Sequence, residues 1–183
     1  QTCALPILRF VSSRFMNKKE QVIYGMHAVS AILRLQPECI KVLYLQDGKA
    51  NSKNWQQFEL LLQEAAVAPQ FTAKNKLATL AATEKHQGVV AVCRNLPNYS
   101  ENDVVTMLED GIWQNPLLLI LDNVSDPHNI GACLRSADAA SVACVIITGK
   151  NSAPITPVVH KVASGATLTV PIVRAVNLTR IMQ

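Results

Sequence analysis

Apolar residues recur along the chain at two spacings, and these spacings predict helices that alternate with strands. Where they recur every three or four positions, they predict amphipathic helices. Short runs rich in branched apolar residues predict strands. In the first half of the chain, the pattern predicts helix 25–35, strand 40–45, helix 53–67 with Ser52 as its cap, strand 70–72, helix 75–82 and strand 89–93.

The second half continues the alternation. It predicts helix 103–113, strand 117–121, a polar loop 122–129, helix 130–140, strand 143–148, helix 155–162, strand 168–173 with Pro171 at an edge or bend, and a last helix capped by Asn177. Strands that alternate with helices form parallel sheets. The predicted fold class is therefore α/β. The turn-rich stretch 95–102 predicts a linker between a first domain, 20–94, and a second, 103–183.

Charge is distributed unevenly along the 183 residues. Of the 17 basic residues, four lie in residues 1–19, which hold no acidic residue; the other 13 balance the 13 acidic residues. Non-specific attraction to nucleic acid scales with the phosphates neutralised. Any affinity for RNA must therefore come from local patches. Residues 20–100 carry a small excess of basic residues and 101–183 a small excess of acidic ones, so the first half is the better candidate.

Other features exclude several classes of protein. The five cysteines include no C-x-x-C pair, which argues against a zinc site or a disulfide framework and fits a reducing cytoplasm. No apolar run approaches the ~20 residues of a membrane span. We therefore expect a cytoplasmic protein with neither a metal nor a membrane partner. His27 and His86 lack a cluster of further ligands, and Trp55 with Phe58 has the spacing of a helix core.

Both ends of the sequence have unusual features. The chain begins with Gln1, and residues 1–15 hold no acid, which is typical of a transit-type leader. The same stretch is also similar to translated sequencing adapter, with Met16 as the natural start. We expect 1–19 to be non-native or a leader. The sequence stops at Gln183 inside a segment that resembles a helix, so we expect a fragment that is inactive alone.

Residues 121–140 carry the densest candidate chemistry. Pro127 biases Asp126 away from helix, and Asn129 is predicted to cap a helix that carries Arg135. Arg135 lies among small neighbours, and a guanidinium is a natural fork for phosphate oxygens. The alternative is structural: Asn129 is only a cap, and Arg135 pairs with Asp138 on a solvated face. Asp122 and Asp126 fit loop and cap roles better than a catalytic carboxylate pair.

This stretch closely resembles the first motif of the SpoU (TrmH-type) RNA 2′-O-ribose methyltransferases, a branch of the knotted SPOUT class. The matching residues are Asp122, Val124, Asp126, Pro127, Asn129, Gly131, Ala132, Arg135, Ser136 and Ala137. The resemblance extends over 23–29, 86–88 and 161–166 with Pro171. Within the family it is greatest to the bacterial members that methylate a guanosine ribose in 23S rRNA.

The resemblance implies a ribosomal-protein-like RNA-binding domain followed by the first part of a trefoil-knot methyltransferase domain, with the knot region absent. It implies S-adenosylmethionine as methyl donor, ribosomal RNA rather than DNA as partner, and a homodimer when full length. Arg135 and Asn129 would be catalytic; residues that contact the cofactor are expected beyond Gln183. The implied RNA-binding residues are Tyr24, Gly25, His27, His86 and Gln87.

Two other functions remain open at this point: a tRNA methyltransferase of the same family, and an RNA-binding protein without catalysis. Ser141 departs from the family pattern, which has Gly there. If the backbone at Ser141 is left-handed, Ser costs about 1–2 kcal/mol relative to Gly.

Overall fold

The computed structural model describes residues 16–17, 20–48, 53–94 and 96–182, with the backbone alone at residues 16, 17, 53 and 181. The chain divides into two compact units after Leu96. Most of the segment 1–19 and the predicted cap Ser52 lie outside the described residues. The two-residue strands β1 (Met16–Asn17) and β6 (Leu96–Pro97) pair with each other.

The first unit is a mixed four-stranded sheet with helices on both faces. Its elements are β2 (Gln21–Tyr24), α1 (Met26–Leu35), a 3-10 turn (Pro37–Cys39), β3 (Ile40–Gln46), α2 (Lys53–Glu64), β4 (Pro69–Thr72), α3 (Lys74–Ala81) and β5 (Val89–Cys93). The strand order is β2-β5-β3-β4, with β5 antiparallel to both neighbours and β4 parallel to β3.

Alternation along β3 assigns the two faces of this sheet. Tyr44 packs with Tyr24, Val90 and Leu77, which belongs to α3. Leu43 and Leu45 point to the opposite face and are fully buried. Trp55 and Phe58 on α2 are buried as well, which confirms their predicted place in the core.

The second unit is a three-stranded parallel sheet, as predicted. Its elements are α4 (Glu101–Glu109), β7 (Leu118–Asp122), α5 (Pro127–Ala139), β8 (Cys144–Thr148), α6 (Pro157–Ala163), α7 (Ala166–Thr169), β9 (Ile172–Ala175) and α8 (Leu178–Met182). The order is β7-β8-β9. The apolar side of α5, with Ile130, Leu134 and Ala137, is buried on one side of the sheet, and residues of α4 pack on the other.

Helix α5 begins three residues earlier than its apolar pattern indicates. Asp126 is the N-cap: its carboxylate accepts a hydrogen bond from the backbone N–H of His128 at 2.9 Å, and Pro127 occupies the first helical position. Pro is favoured there because the first turn has no use for its missing N–H. The prediction that Asn129 caps this helix is therefore wrong.

The predicted strand 168–173 is also wrong over most of its length. Gly165 adopts φ 108°, and the chain then makes the short helix α7. The strand begins only after Pro171, whose carbonyl accepts from Val145 N. Proline cannot donate to a strand ladder, so the apolar run before it does not belong to the strand.

The predicted linker 95–102 is structured in its described part. Tyr99 is buried in the core of the second unit. Ser100 forms a capping box with Asp103, so α4 starts at Glu101 rather than at the predicted residue 103.

Candidate functional site

The carboxyl ends of the three parallel strands meet at one edge of the second sheet. Asp122 pairs with Thr148 at the end of the β7–β8 ladder, and Thr148 with Ala175 at the end of β8–β9. In open parallel sheets this is the edge at which ligands bind. Helix α5 starts from this edge, five residues after β7 ends. Asn129, in the first turn of α5, therefore lies near the expected site, and Arg135 lies less than two turns farther along the same helix.

Asn129 and Arg135 both lie on the exposed face of α5, and Ala132 lies between them at three-residue spacing. They are six positions apart, which corresponds to about 9 Å along the helix axis. No hydrogen bond joins their side chains. Within the described part of the chain, no hydrogen bond restrains the side-chain amide of Asn129.

Gly131, one of the small neighbours of Arg135 along the helix, does not belong to this exposed face. It is buried against α6: a Cβ there would lie 2.7 Å from Val162 Cβ and 3.1 Å from Val159 O. The small residue therefore lets α6 approach α5 closely.

The structural alternative requires a pair between Arg135 and Asp138, and the two side chains do not form one. Asp138 Oδ1 accepts a hydrogen bond from Thr169 Oγ1 at 2.6 Å, which ties α5 to α7. Among the described residues, Arg135 has neither an ion pair nor a hydrogen bond. Its exposed guanidinium is available to an anionic ligand.

A network of hydrogen bonds fixes the loops at the carboxyl edge. Asp122 Oδ1 accepts from Thr148 Oγ1 at 2.6 Å and from Asn123 Nδ2 at 3.1 Å. Asn123 has φ 54°, and its amide packs so closely on Gly149 that a Cβ at that glycine would lie 2.3 Å from Asn123 Oδ1. Asp122 and Asp126 thus have the loop and cap roles predicted for them.

The loop after β8 is restrained from both sides. Ala153 N donates to Val124 O at 3.0 Å, which joins this loop to the one that leads into α5. From β9, the guanidinium of Arg174 donates to the carbonyls of Ala153 at 2.7 Å and Ser152 at 3.0 Å. Nothing in the sequence pattern indicated Arg174 or Ser152, because both act through contacts between distant segments.

The RNA-binding residues predicted in the first unit lie together at one end of its sheet, but only some reach the surface. His27 and Gln87 are exposed, and Gln87 Oε1 accepts from the N–H of Met26 at 3.0 Å. Tyr24 and His86 are 3% and 1% exposed, and His86 Nδ1 accepts from Gly88 N. Their side chains support this end of the sheet from inside; the buried Gly25 links β2 to α1.

Burial also determines the titration of several groups outside these sites. It lowers the pKa of His160 to about 4, and it raises the pKa of Cys93 and of Cys144 to about 12. These thiols act as small apolar groups in the cores. In the described ranges, no three His, Cys, Asp or Glu residues are placed to hold a metal ion. No helix there has the length and apolar character of a membrane span.

Two protein families match this chain over the two units. The family described as RNA 2′-O ribose methyltransferase substrate binding matches residues 22–99, and the SpoU rRNA Methylase family matches residues 116–183. The chain belongs to the SpoU rRNA methylase family. The family predicted from residues 121–140 is thereby confirmed, and the exposed Asn129 and Arg135 lie in its methylase region.

Curated relatives of this SpoU chain are named 23S rRNA (guanosine-2′-O-)-methyltransferase RlmB. That of Haemophilus influenzae is 42% identical over 161 residues, covering 88% of the chain and 64% of the relative. That of Vibrio cholerae is 41% identical over 163 residues, covering 89% and 65%. The chain thus spans slightly less than two thirds of the length of these relatives.

Solved structures confirm the α/β fold of the SpoU chain. The AdoMet-bound rRNA methyltransferase of Sinorhizobium meliloti matches with a TM-score of 0.61 and 20% identity, over 89% of this chain and 56% of that one. The SpoU methyltransferase AviRb of Streptomyces viridochromogenes, in complex with AdoMet, matches with a TM-score of 0.63 and 22% identity, over 89% and 58%.

Proposed function

We propose that the protein to which this chain belongs transfers a methyl group from S-adenosylmethionine to the 2′-hydroxyl of a guanosine ribose in 23S rRNA. Its first unit binds the RNA substrate, and its second unit carries the reaction. The observation that carries the proposal is the exposed guanidinium of Arg135 on α5, which pairs with no acidic group among the residues that the structure describes and lies in the motif shared with the SpoU methylases. The names of the curated relatives support the choice of rRNA and of guanosine.

Arg135 is assigned to positioning and charge stabilisation rather than to proton abstraction. A guanidinium is a poor proton acceptor, because all of its hydrogen-bonding groups are N–H donors. Its planar fork suits a ribose-phosphate, and a fixed cation stabilises negative charge that develops on the attacking oxygen. Asn129, at the same face, is assigned to orient the nucleotide. DNA lacks the 2′-hydroxyl, so the reaction itself selects RNA.

S-adenosylmethionine supplies an electrophilic methyl group for in-line transfer, which depends on proximity and alignment. The described residues do not provide a complete site for it. At the carboxyl edge, Asp122, Thr148 and Arg174 are already hydrogen-bonded to other groups of the chain. We therefore assign no residue of this chain to the cofactor.

Two further parts of the proposal concern location and assembly. An rRNA substrate supports a cytoplasmic protein, and the resemblance to the family supports a homodimer. Sedimentation of the complete protein tests the dimer: a monomer at micromolar concentration would contradict it.

The deciding experiment compares Arg135→Lys with Asp138→Asn in the complete protein, by single-turnover methylation of 23S rRNA transcript. Lys keeps the charge but loses the planar fork. We expect kcat to fall about 10²–10³-fold, as for the loss of one preorganised charge contact, with RNA affinity little changed. Asp138→Asn keeps an acceptor for Thr169 and is expected to react at a near-normal rate.

A near-normal rate for Arg135→Lys would overturn the catalytic assignment. Equal losses in both variants would make Asp138 a necessary orienter of Arg135. Mapping of methylated riboses in rRNA and tRNA tests the substrate: modification of tRNA alone would identify a tRNA enzyme of the same family.

A further inference from the structure

The guanidinium of Arg174 joins β9 to the loop that follows β8. Arg174 lies one residue before the carboxyl end of β9. Its Nη1 donates to the carbonyl of Ala153 at 2.7 Å, and its Nη2 donates to the carbonyl of Ser152 at 3.0 Å. We call residues 149–153 the clamp loop. Because two donors of one planar group bind two successive carbonyls, they fix the direction of the clamp loop as well as its distance from β9.

The peptide group between Ser152 and Ala153 is hydrogen-bonded on both sides. Its carbonyl, that of Ser152, accepts from Arg174, and its N–H, that of Ala153, donates to the carbonyl of Val124 at 3.0 Å. A hydrogen bond to the carbonyl of an amide polarises the amide and strengthens the bond that its N–H donates. The two bonds therefore form a relay from β9 to Val124, which lies two residues before Asp126, the N-cap of α5.

The relay acts on the first turn of α5 rather than on the rest of the helix. Farther along α5, Leu134 is fully buried in the core, and Asp138 is hydrogen-bonded to α7. Asn129, in the first turn, is exposed, and within the part of the chain that the structure describes no hydrogen bond holds its side chain. The position of Asn129 therefore depends on the backbone that leads into the helix, and hence on the bond to Val124.

Arg174 contributes to neither a core nor an ion pair among the described residues. It is exposed, and no carboxylate there pairs with its guanidinium. Hydrogen bonds from a charged donor are roughly twice as strong as neutral ones. The clamp loop has further contacts, because the Ser152 hydroxyl donates to the Thr148 carbonyl and Asn123 packs against Gly149. Loss of Arg174 should therefore displace the loop without unfolding it.

We propose that Arg174 is a positioning residue for the methyl transfer: through the clamp loop it fixes the start of α5 and thereby Asn129. This inference rests on the proposed function, which assigns Asn129 to orient the nucleotide. In-line transfer depends on alignment, and a displacement of about 1 Å can cost ~10²-fold in rate. Binding of the RNA, to which the first unit also contributes, is less sensitive to such a displacement.

The first test measures single-turnover methylation of 23S rRNA transcript by the complete protein. Arg174→Gln removes the charged pair of donors, and we expect the rate to fall about tenfold while the dissociation constant of the RNA changes less than about threefold. Arg174→Lys keeps a donor for one carbonyl and should recover part of the rate. Arg180→Gln is the matched control with the same loss of charge. Arg180 bonds to Glu101 on α4 rather than to the clamp loop, so the control should react at a near-normal rate.

A double-mutant cycle with Asn129→Ala distinguishes positioning from a general structural role. If Arg174 acts through Asn129, Arg174→Gln should cost less than about threefold in the Asn129→Ala background, because the effects of coupled residues are not additive. Full losses from both changes in the double variant would overturn the proposal, and so would a normal rate for Arg174→Gln alone. Urea unfolding establishes that each variant folds. If Arg174→Gln does not fold, Arg174→Lys takes its place in the cycle.

A measurement that does not depend on activity separates this inference from the proposed function. In the 183-residue chain, Arg174→Gln should speed hydrogen exchange of the Ala153 amide at least about tenfold, and Arg180→Gln should leave it unchanged. Exchange at the wild-type rate in Arg174→Gln would overturn the relay even if the complete protein methylates rRNA. A complete wild-type protein that does not methylate 23S rRNA would overturn the proposed function and, with it, the role of Arg174 in the transfer.

Discussion

One residue after α5 has a backbone conformation that its side chain disfavours. Ser141 follows α5 with φ 55°, a left-handed conformation, at the position where the family pattern has Gly. An L side chain at such a position is disfavoured by about 1–2 kcal/mol relative to Gly. The strain is local, because Ser141 is exposed and its N–H bonds to Asp138 O.

We therefore predict that Ser141→Gly stabilises the chain by about 1 kcal/mol. Ala139→Gly, two residues earlier within α5, is the matched control and should destabilise by about 1 kcal/mol, because Gly is unfavourable in a helix. Urea unfolding of both variants measures the difference. Destabilisation by Ser141→Gly would contradict the strain at this position.

The buried His160 makes stability depend on pH. Burial lowers its pKa to about 4, and its Nδ1 lies 2.8 Å from Thr167 Oγ1. The unfolded chain binds a proton near pH 6.5 while the folded chain does not, so stability is full above pH 6.5 and falls as the pH drops towards 4. The loss attributable to this group reaches about 3 kcal/mol.

His160→Gln removes the titrating group, so the variant should lose less stability than the wild type between pH 6.5 and pH 4. Unfolding free energies at half-unit pH intervals supply the comparison. Parallel pH profiles for the two chains would exclude a buried neutral His160.

At the scale of elements, the sequence predicted most helices and strands because each buries one regular face. The parallel sheet and the helix over residues 130–139 followed from spacing alone. The errors lie where a local contact decides a boundary: Asp126 at the start of α5, Ser100 at the start of α4, and Pro171 before β9. The motif indicated Asn129 and Arg135, which lie on one exposed face of α5, and their role in catalysis stays a prediction. Arg174 could not be predicted from the sequence, because its hydrogen-bond partners lie in another loop.

The corrected start of α5 has a direct test. Asp126→Ala removes the accepting carboxylate and should destabilise the chain by about 0.5–2 kcal/mol. Asn129→Ala, at a position with no cap contact, should leave stability unchanged or slightly raised, since Ala favours helix. Thermal unfolding of the two variants shows which of the two residues caps α5. A larger loss for Asn129→Ala would restore the cap predicted from sequence.

The contact between α5 and α6 depends on Gly131. In an unhindered helix, Gly→Ala stabilises by roughly 1 kcal/mol. Here the added methyl would lie 2.7 Å from Val162 Cβ, so the helices must separate, and we expect Gly131→Ala to destabilise by about 1–3 kcal/mol. Chemical denaturation shows whether the free energy of unfolding falls or rises. A stabilised variant would show that α6 moves away from α5 without a loss of stability.

At the scale of the whole molecule, the two units bury separate cores. Residues of the first unit complete a sheet without any strand from beyond Cys93. We predict that a fragment of residues 20–94 folds alone, with cooperative thermal unfolding by circular dichroism. A fragment that ends at Gly88 is the control and should not fold, because it lacks β5. Failure of the longer fragment to unfold cooperatively would contradict its independence.

The position of β5 in the sheet has a consequence for synthesis on the ribosome. β5 lies between β2 and β3, yet it is the last of the four strands to be made, and Gln21 pairs with Cys93 about 70 residues later. At roughly 5–20 residues per second, the ribosome takes about 4–14 s to add the strand that joins the others. Until then Ile23, Leu43 and Leu45 have no completed core to enter. The nascent chain therefore exposes these apolar side chains for several seconds before the sheet can be completed.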